Sequence, residues 1–385
     1  AAPERVLAEV SGNMIKNAKS VVVPSTGGMK GIPAAIAAGI VAGDENAALQ
    51  VIASVPEEKH AEIAAYVANT PIETVCSDTT RMLDIILTGY LGEHKALVHI
   101  ANSHTNVVRE ELDGKAVVEK EFSDSAEDSL TDKSVLNVKD ILEFANTVDL
   151  SKVSDMLEKQ LTCNLAVAEE GLRNSWGANI GSTLLAEYPE DIKVEARAWA
   201  AAGSDARMSG CEMPVVINSG SGNQGITASV PVIVYARELG VSHDELLRAL
   251  VVSNLVTIHL KTGIGRLSAY CGATSAGAGA AAGITYLYGG RADEISHTVV
   301  NAIAIDSGMV CDGAKASCAA KIASAVEAGL LGMQMQRQGK QFYGGDGIVV
   351  KGVENTIRNV GVLAAQGMRE TDRTIIELMC GSGAC

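Results

Sequence analysis

The sequence predicts an α+β protein: a mixed α/β N-terminal lobe followed by a mainly helical lobe. Three observations lead there. Strand patterns and a hairpin signal crowd into the first third of the chain. A polar, acidic run, "SDSAEDSLTDK" at 123–133, then interrupts the apolar pattern. After it, apolar and small residues recur in helix-length stretches separated by glycine-rich loops. The run reads as a linker and puts a boundary near 125–135. Residues 1–130 form the mixed lobe and 131–385 the helical lobe, which the first helices of the chain could complete.

In chain order, Arg5–Val10 alternates apolar and polar residues and Val21–Val23 is β-branched, so both read as strands around a loop. "PSTGGMKG" is a turn feeding a small-residue helix from about Ile32, and 46–56 and 58–68 read as short helices. Val107–Leu112 and Lys115–Glu121 flank "DG", a hairpin signal. Helices are expected over 137–147, 151–172, 187–206, 225–238, 243–257, 272–287, 291–306, 312–328 and 351–370. Ser242 with Glu245 has the spacing of a capping box at one helix start.

Composition narrows the function. With 31 basic against 46 acidic residues, the net charge of −15 argues against wholesale phosphate-backbone binding, so no nucleic-acid partner is expected. The uncharged runs Met213–Ala236 and Leu267–Gly290 are interrupted by glycine, serine and threonine and read as buried protein, with no membrane partner. Aromatic residues make up 3% against 39 glycines, so small residues must pack helices closely and could support a homodimer face. Eight cysteines are too sparse for a disulfide scaffold. The start "AAPERVLAEV" carries charge at once, with no apolar signal region and no initiator methionine. A cytoplasmic, trimmed chain with reduced thiols is expected.

Two glycine-rich loops offer backbone N–H groups and hydroxyls ahead of a helix: Ser25, Thr26, Gly27 and Gly28 in the first, and Ser219, Gly220, Ser221, Gly222, Asn223, Gln224 and Gly225 in the second. Each suits a small anion such as a carboxylate, and each reads equally as a tight turn between packed elements. The second matches GxGxxG through Gly220, Gly222 and Gly225, but its helical surroundings lack the acidic residue that closes a dinucleotide-binding unit. In "VCDGAKASC", Cys311 and Cys318 flank Asp312, Gly313 and Lys315, and "SAYCGATSAG" supplies Cys271. Thiolates favour soft metals and iron–sulfur clusters; buried thiols also pack as small hydrophobes. On a helix, Cys311 and Cys318 share a face; in a loop, their sulfurs can converge. Lys315 could pair with a carboxylate or lower a nearby thiol pKa, and His259, whose segment leads into Cys271, could move a proton. His104 is a second such histidine. The other histidines fall in ordinary settings, and no HExxH spacing occurs.

The segments "VSGNMIKNAKSVVVPSTGGMKGIPAAIAAGIVAG", "INSGSGNQGITASVPV", "YCGATSAGAGAAAG" and "GMVCDGAKASCAAKIA" together resemble the L-cysteine desulfidase family, related to the α domain of iron–sulfur L-serine dehydratases. The resemblance runs from about Val10 to Arg373. It implies a serine-dehydratase-alpha-like helical lobe and an oxygen-sensitive [4Fe–4S] lyase needing no pyridoxal phosphate. It makes Cys271, Cys311 and Cys318 the cluster ligands, with the open iron activating the leaving thiol, and Ser219–Gly225 a substrate-side loop. The family carries a "GCTEP"-like element with a further cysteine ahead of the stretch where this sequence starts. Related dehydratases can place a C-terminal cysteine in their own active site, as Cys385 could.

The reaction implied is β-elimination of L-cysteine: a base (Lys315 or His259) takes the α-proton, sulfide leaves, and the aminoacrylate becomes an imine that hydrolyses to pyruvate and ammonia. L-serine is the near alternative. A non-enzymatic amino-acid sensor, with the cysteines merely packed, is the alternative of another class.

Overall fold

A computed structural model describes residues 1–79, 81–122, 131–265 and 268–380. Most of the expected linker and Cys385 lie outside them. The chain divides into two compact units. The first takes Ala1–Thr131 together with Asp312–Lys315 and Thr371–Cys385; the second takes Asp132–Cys311 and Ala316–Glu370. The line drawn at residue 130 in the sequence therefore misses two later pieces of the first unit, and the chain's first helices belong to that unit.

The first unit is built on a six-stranded sheet of order β2-β1-β3-β4-β5-β6. Strand β1 (Arg5–Val10) leads into helices α1 (Gly12–Ala18), α2 (Gly31–Ala42) and α3 (His60–Asn69). Strand β2 (Ile72–Cys76) returns parallel to β1, pairing Val6 with Ile72, as a helical crossover requires. Strands β3 (Asp84–Leu91), β4 (His94–Ala101), β5 (Val107–Leu112) and β6 (Lys115–Glu119) follow as antiparallel neighbours. The "DG" turn joins β5 to β6 with both residues left-handed, Asp113 at φ 50° and Gly114 at φ 80°, the conformation that matches strand twist. Alternation in β1 buries Val6, Ala8 and Val10. Ala8 and Val10 cluster with Ile15 of α1, Ile32 and Ile36 of α2, and Cys380.

Two expectations fail here. The stretch after β1 is helix α1 rather than loop, and Gly12 at its start leaves room for Ile376, which a Cβ would meet at 2.8 Å. Val21–Val23 forms only the isolated bridge Val22–Lys30 across the glycine-rich turn, because the turn itself is its sole strand-like partner among the described residues.

The second unit is helical: α4 (Val138–Thr147), α5 (Ser154–Arg173), α6 (Ile180–Glu187), α7 (Ile192–Met208), α8 (Gly222–Leu239), α9 (His243–Ile264), α10 (Gly272–Leu287), α11 (Ala292–Ile305), α12 (Cys318–Arg337) and α13 (Val353–Val362). A π-type turn, Leu363–Gly367, separates α13 from α14 (Arg369–Cys380), where the sequence reads as one helix. Helix α8 continues through Pro231 and is buried along most of its length. The expected capping box forms at α9: Ser242 Oγ accepts from the Glu245 N–H, and the Ser242 N–H donates to Glu245 Oε2 at 2.9 Å. No helix among the described residues is long and apolar enough to cross a membrane.

Helix α10 is the axis of this unit. A Cβ on Gly277 would lie 2.4 Å from the Ala325 carbonyl oxygen of α12, and one on Gly329 would meet Gly277 O at 2.5 Å and the Ala281 side chain at 3.0 Å. Contact positions rise together along both chains, so α10 and α12 run in the same direction. Helix α8 does likewise, with Gln224 against Gly272 and Val232 against Gly283. The N-termini of α8, α10 and α12 therefore share one end of the bundle. A Cβ at 277 must displace backbone, an overpacking that costs about 1–3 kcal/mol, against about 1 kcal/mol of helix propensity gained. Gly277→Ala should lower the denaturation midpoint. Gly39→Ala on α2, where a Cβ meets nothing within 4 Å, should hold or raise it. Equal midpoints for the two variants would mean that α10 and α12 are not in backbone contact.

Candidate active site

Two short backbone segments meet at the N-terminus of α10. Tyr270 and Val310 form an antiparallel bridge. The Cys271 N–H donates to Met309 O at 3.0 Å, and the Cys311 N–H donates to Ala269 O at 2.6 Å. This ladder sets Cys271, the N-cap of α10, beside Cys311. Their side chains hydrogen-bond to each other. Cys318 opens α12, and its charge is felt at Cys271. The helix expected from 312 begins only at Cys318. Gly313 is left-handed at φ 93°, and a Cβ there would sit 1.8 Å from Lys16 O, so the segment between the two cysteines stays a loop. Cys311 and Cys318 are therefore joined by a loop rather than set on one helix face.

The Cys271 thiol is pushed well above its usual pKa, first by its hydrogen bond with Cys311, then by burial and by the charges of Cys311 and Cys318. The Ala273 N–H, in the first turn of α10, pulls the other way. Three thiols placed this way repel one another once ionised, and only a positive centre among them relieves that. Among the described residues, no three His, Cys, Asp or Glu side chains stand close enough to share one metal ion. A four-iron cluster gives each thiolate its own iron and spreads the ligands wider, so an all-sulfur set on three separate attachment points fits a cluster.

The second glycine-rich loop lies in the same unit. Ser219 and Gly220 are left-handed, at φ 50° and 80°, and Asn218 and Ser221 exchange backbone hydrogen bonds across them. Ser221 caps α8, its Oγ accepting from Gln224 N at 3.4 Å. Asn218 is anchored by Asn254 Oδ1 at 2.8 Å, and Asn254 is held in turn by Gln160 at 2.7 and 2.9 Å. A Cβ on Gly225 would lie 1.9 Å from Val216 O, so only glycine allows this approach.

Glycines at two helix starts make room for longer side chains. A Cβ on Gly222 would meet Arg207 Nε at 2.4 Å, and one on Gly272 would meet the Gln224 amide at 2.5 Å. Arg207 Nη1 donates to Asn223 Oδ1 at 3.2 Å. Burial pulls the Arg207 pKa down, against the electrostatic influence of Cys318, which acts to raise it. Gln224 is 7% exposed, and its Oε1 has no hydrogen-bond partner among the described residues. Sequence reasoning passed over Arg207. The available signal was its place as a lone cation ending the small-residue run "AWAAAGSDAR", whose other residues are all buried except the partly buried Trp199.

The remaining sequence-predicted residues lie apart from this group in role or in unit. His259 Nε2 bonds Glu354 Oε2 at 2.6 Å, while Glu354 Oε1 accepts from the Val138 N–H at 2.8 Å, so the histidine helps tie α9, α13 and α4 together. Lys315 belongs to the first unit, where its Nζ pairs with Asp312 and donates to Gly313 O at 3.2 Å. Ser25, Thr26, Gly27 and Gly28 are also in the first unit. Thr26 Oγ1 donates to Val23 O at 2.6 Å, closing the turn upon itself, with Ser25, Gly27 and Gly28 all at positive φ.

Burial raises the Glu354 pKa, but the hydrogen bonds from His259 and Val138 outweigh it and hold the carboxyl below its usual value. A depressed acid adds stability above its unfolded pKa, and loses it as pH falls through the folded one. Glu354→Gln should therefore melt earlier than the parent protein at neutral pH. The two melting temperatures should merge once the pH drops below the range where carboxylates ionise. A gap that persists in acid would assign the loss to packing instead.

Comparison with known proteins places this arrangement. The profile of the serine dehydratase alpha chain family matches residues 46–377, a span that holds the three cysteines and the second loop. The UPF0597 protein of Desulfitobacterium hafniense (strain Y51) is 54% identical over 379 residues, covering 98% of this chain and 88% of its own. Those of Lachnoclostridium phytofermentans and Treponema denticola are 51% and 48% identical, each covering 98% of this chain, and 90% and 89% of their own lengths. The chain belongs to the serine dehydratase alpha chain family.

Proposed function

We propose that the protein is an iron–sulfur lyase that eliminates the β-substituent of L-cysteine, with water, to give pyruvate, ammonia and hydrogen sulfide. What supports the reading is that Cys271 and Cys311 stand side by side, with Cys318 within electrostatic reach, in a setting that disfavours a free Cys271 thiolate. These three residues would hold a [4Fe–4S] cluster, which supplies Lewis acidity toward the departing sulfur when bound.

The chain's own groups do the rest. The N-termini of α8, α10 and α12 present positive helix ends to one region, each favouring an anion by about 0.3–1 kcal/mol. The Ser219–Gly225 loop, pinned by Asn254, keeps the first turn of α8 in place for a small polar substrate. For the proton at the α-carbon, His259 and Lys315 are available only by releasing Glu354 and Asp312. L-serine, with hydroxide leaving, is the second reading, and the family's description as serine dehydratase alpha chain favours it.

Anaerobically purified protein should release pyruvate and sulfide from L-cysteine in equal amounts, with a higher kcat/KM than for L-serine. Cys311→Ala should abolish both bound iron and turnover. Full turnover in protein stripped of iron would overturn the reading, and a preference for L-serine would select the second one.

A further inference from the structure

We infer that Arg207 is the carboxylate clamp of the site, holding the α-carboxylate of an amino acid against the first turn of α8, while Gln224 Oε1 accepts from the α-ammonium. The inference rests on the amino-acid lyase reading and names the residues that would recognise the substrate's two charged groups.

Several independent observations support it. Arg81, Arg109, Arg197 and Arg373 each pair with a carboxylate. Arg207 has no carboxylate partner among the described residues; its Nη1 donates to the neutral Asn223 Oδ1. A guanidinium offers five N–H donors in a planar fork, so most of its capacity is uncommitted. The fork lies over Gly222, whose missing side chain admits it. The N–H groups of Gly222 and Asn223 precede the first intrahelical bond of α8, which starts at Gly225 N. Backbone donors and guanidinium therefore meet at one helix start, the pairing that suits a carboxylate.

Gln224 supplies the opposite chemistry on the same turn. Its buried, unpartnered Oε1 is an acceptor without a donor, and such an atom costs about 1–3 kcal/mol unless something bonds it. An ammonium group supplies that donor. A ligand that fills both needs carries a carboxylate and an amine on one carbon. The Gln224 amide lies against Gly272, the residue after Cys271, so this turn of α8 reaches the cysteine end of α10, where the β-substituent must lie.

The test is calorimetric titration of the anaerobic holoenzyme with L-alanine, which keeps both charged groups and has no leaving group. L-Alaninamide, lacking the carboxylate, and propionate, lacking the amine, are the controls. The native protein should bind L-alanine at least about tenfold more tightly than either control. Arg207→Gln should weaken L-alanine binding about 10- to 100-fold and leave L-alaninamide unaffected, with iron content unchanged. Gln224→Leu should remove the preference over propionate. Should Arg207→Gln fail to fold, Arg207→Lys keeps the charge, loses the fork, and must still weaken L-alanine selectively. Unchanged L-alanine affinity in the folded Arg207 variant, equal affinity of the native protein for L-alanine and L-alaninamide, or no L-alanine binding at all would overturn the clamp. Arg207-dependent binding of L-alanine by a protein that releases no pyruvate from cysteine or serine would leave the clamp standing and sink the lyase reading.

Discussion

The backbone contact between α10 and α12 sets the geometry on which the candidate site depends. Gly277 lies against the Ala325 carbonyl with no side chain between them, and Gly329 repeats the contact one turn on. The Gly277–Ala325 contact is about two turns from Cys271 on α10 and from Cys318 on α12. Because the helices run in the same direction, fixing their separation fixes both N-termini. A larger residue at either glycine would move the cysteines as well as the helices. The abundance of glycine and the near absence of aromatic side chains in this sequence thus serve a positional purpose.

Electrostatics at that end of the bundle are a contest with a clear winner. Helix N-termini and the Ala273 N–H favour a thiolate at Cys271. The bond with Cys311, burial and the neighbouring thiols oppose it, and the net shift is strongly upward. Helix ends contribute at most about 2 kcal/mol each in partly buried geometries. Burial and like charges together can shift a pKa by several units, each worth about 1.4 kcal/mol. The protein alone therefore favours the protonated form of Cys271. Arg207 is aligned with the C-terminal end of its own helix, where a cation is favoured, and faces the region without neutralising it through a carboxylate.

The α+β character, the β1 alternation, the Asp113–Gly114 turn and the Ser242 cap were legible because each is decided by residues adjacent in sequence. What escaped was decided from a distance. Helix α6 has weak local propensity and owes its start to Asp205, whose carboxylate accepts from Ile180 N at 2.7 Å and from Ala178 and Gly181 at 3.3 and 3.4 Å. The late start of α12 follows from the backbone of Lys16 pressing on Gly313. Of the site, the cysteines and the second loop could be read from type and spacing. The partner of His259 lies on α13, and the room made for Arg207 depends on a glycine in another helix, so neither was visible in a local window.

The central claim is that three cysteines from three backbone segments hold one iron–sulfur cluster. Iron and acid-labile sulfide per chain, measured after anaerobic purification, test it most directly. The account predicts about four of each, as a [4Fe–4S] centre contains. Protein free of both, even after anaerobic reconstitution with iron and sulfide, would contradict it and leave Cys271, Cys311 and Cys318 as packed thiols.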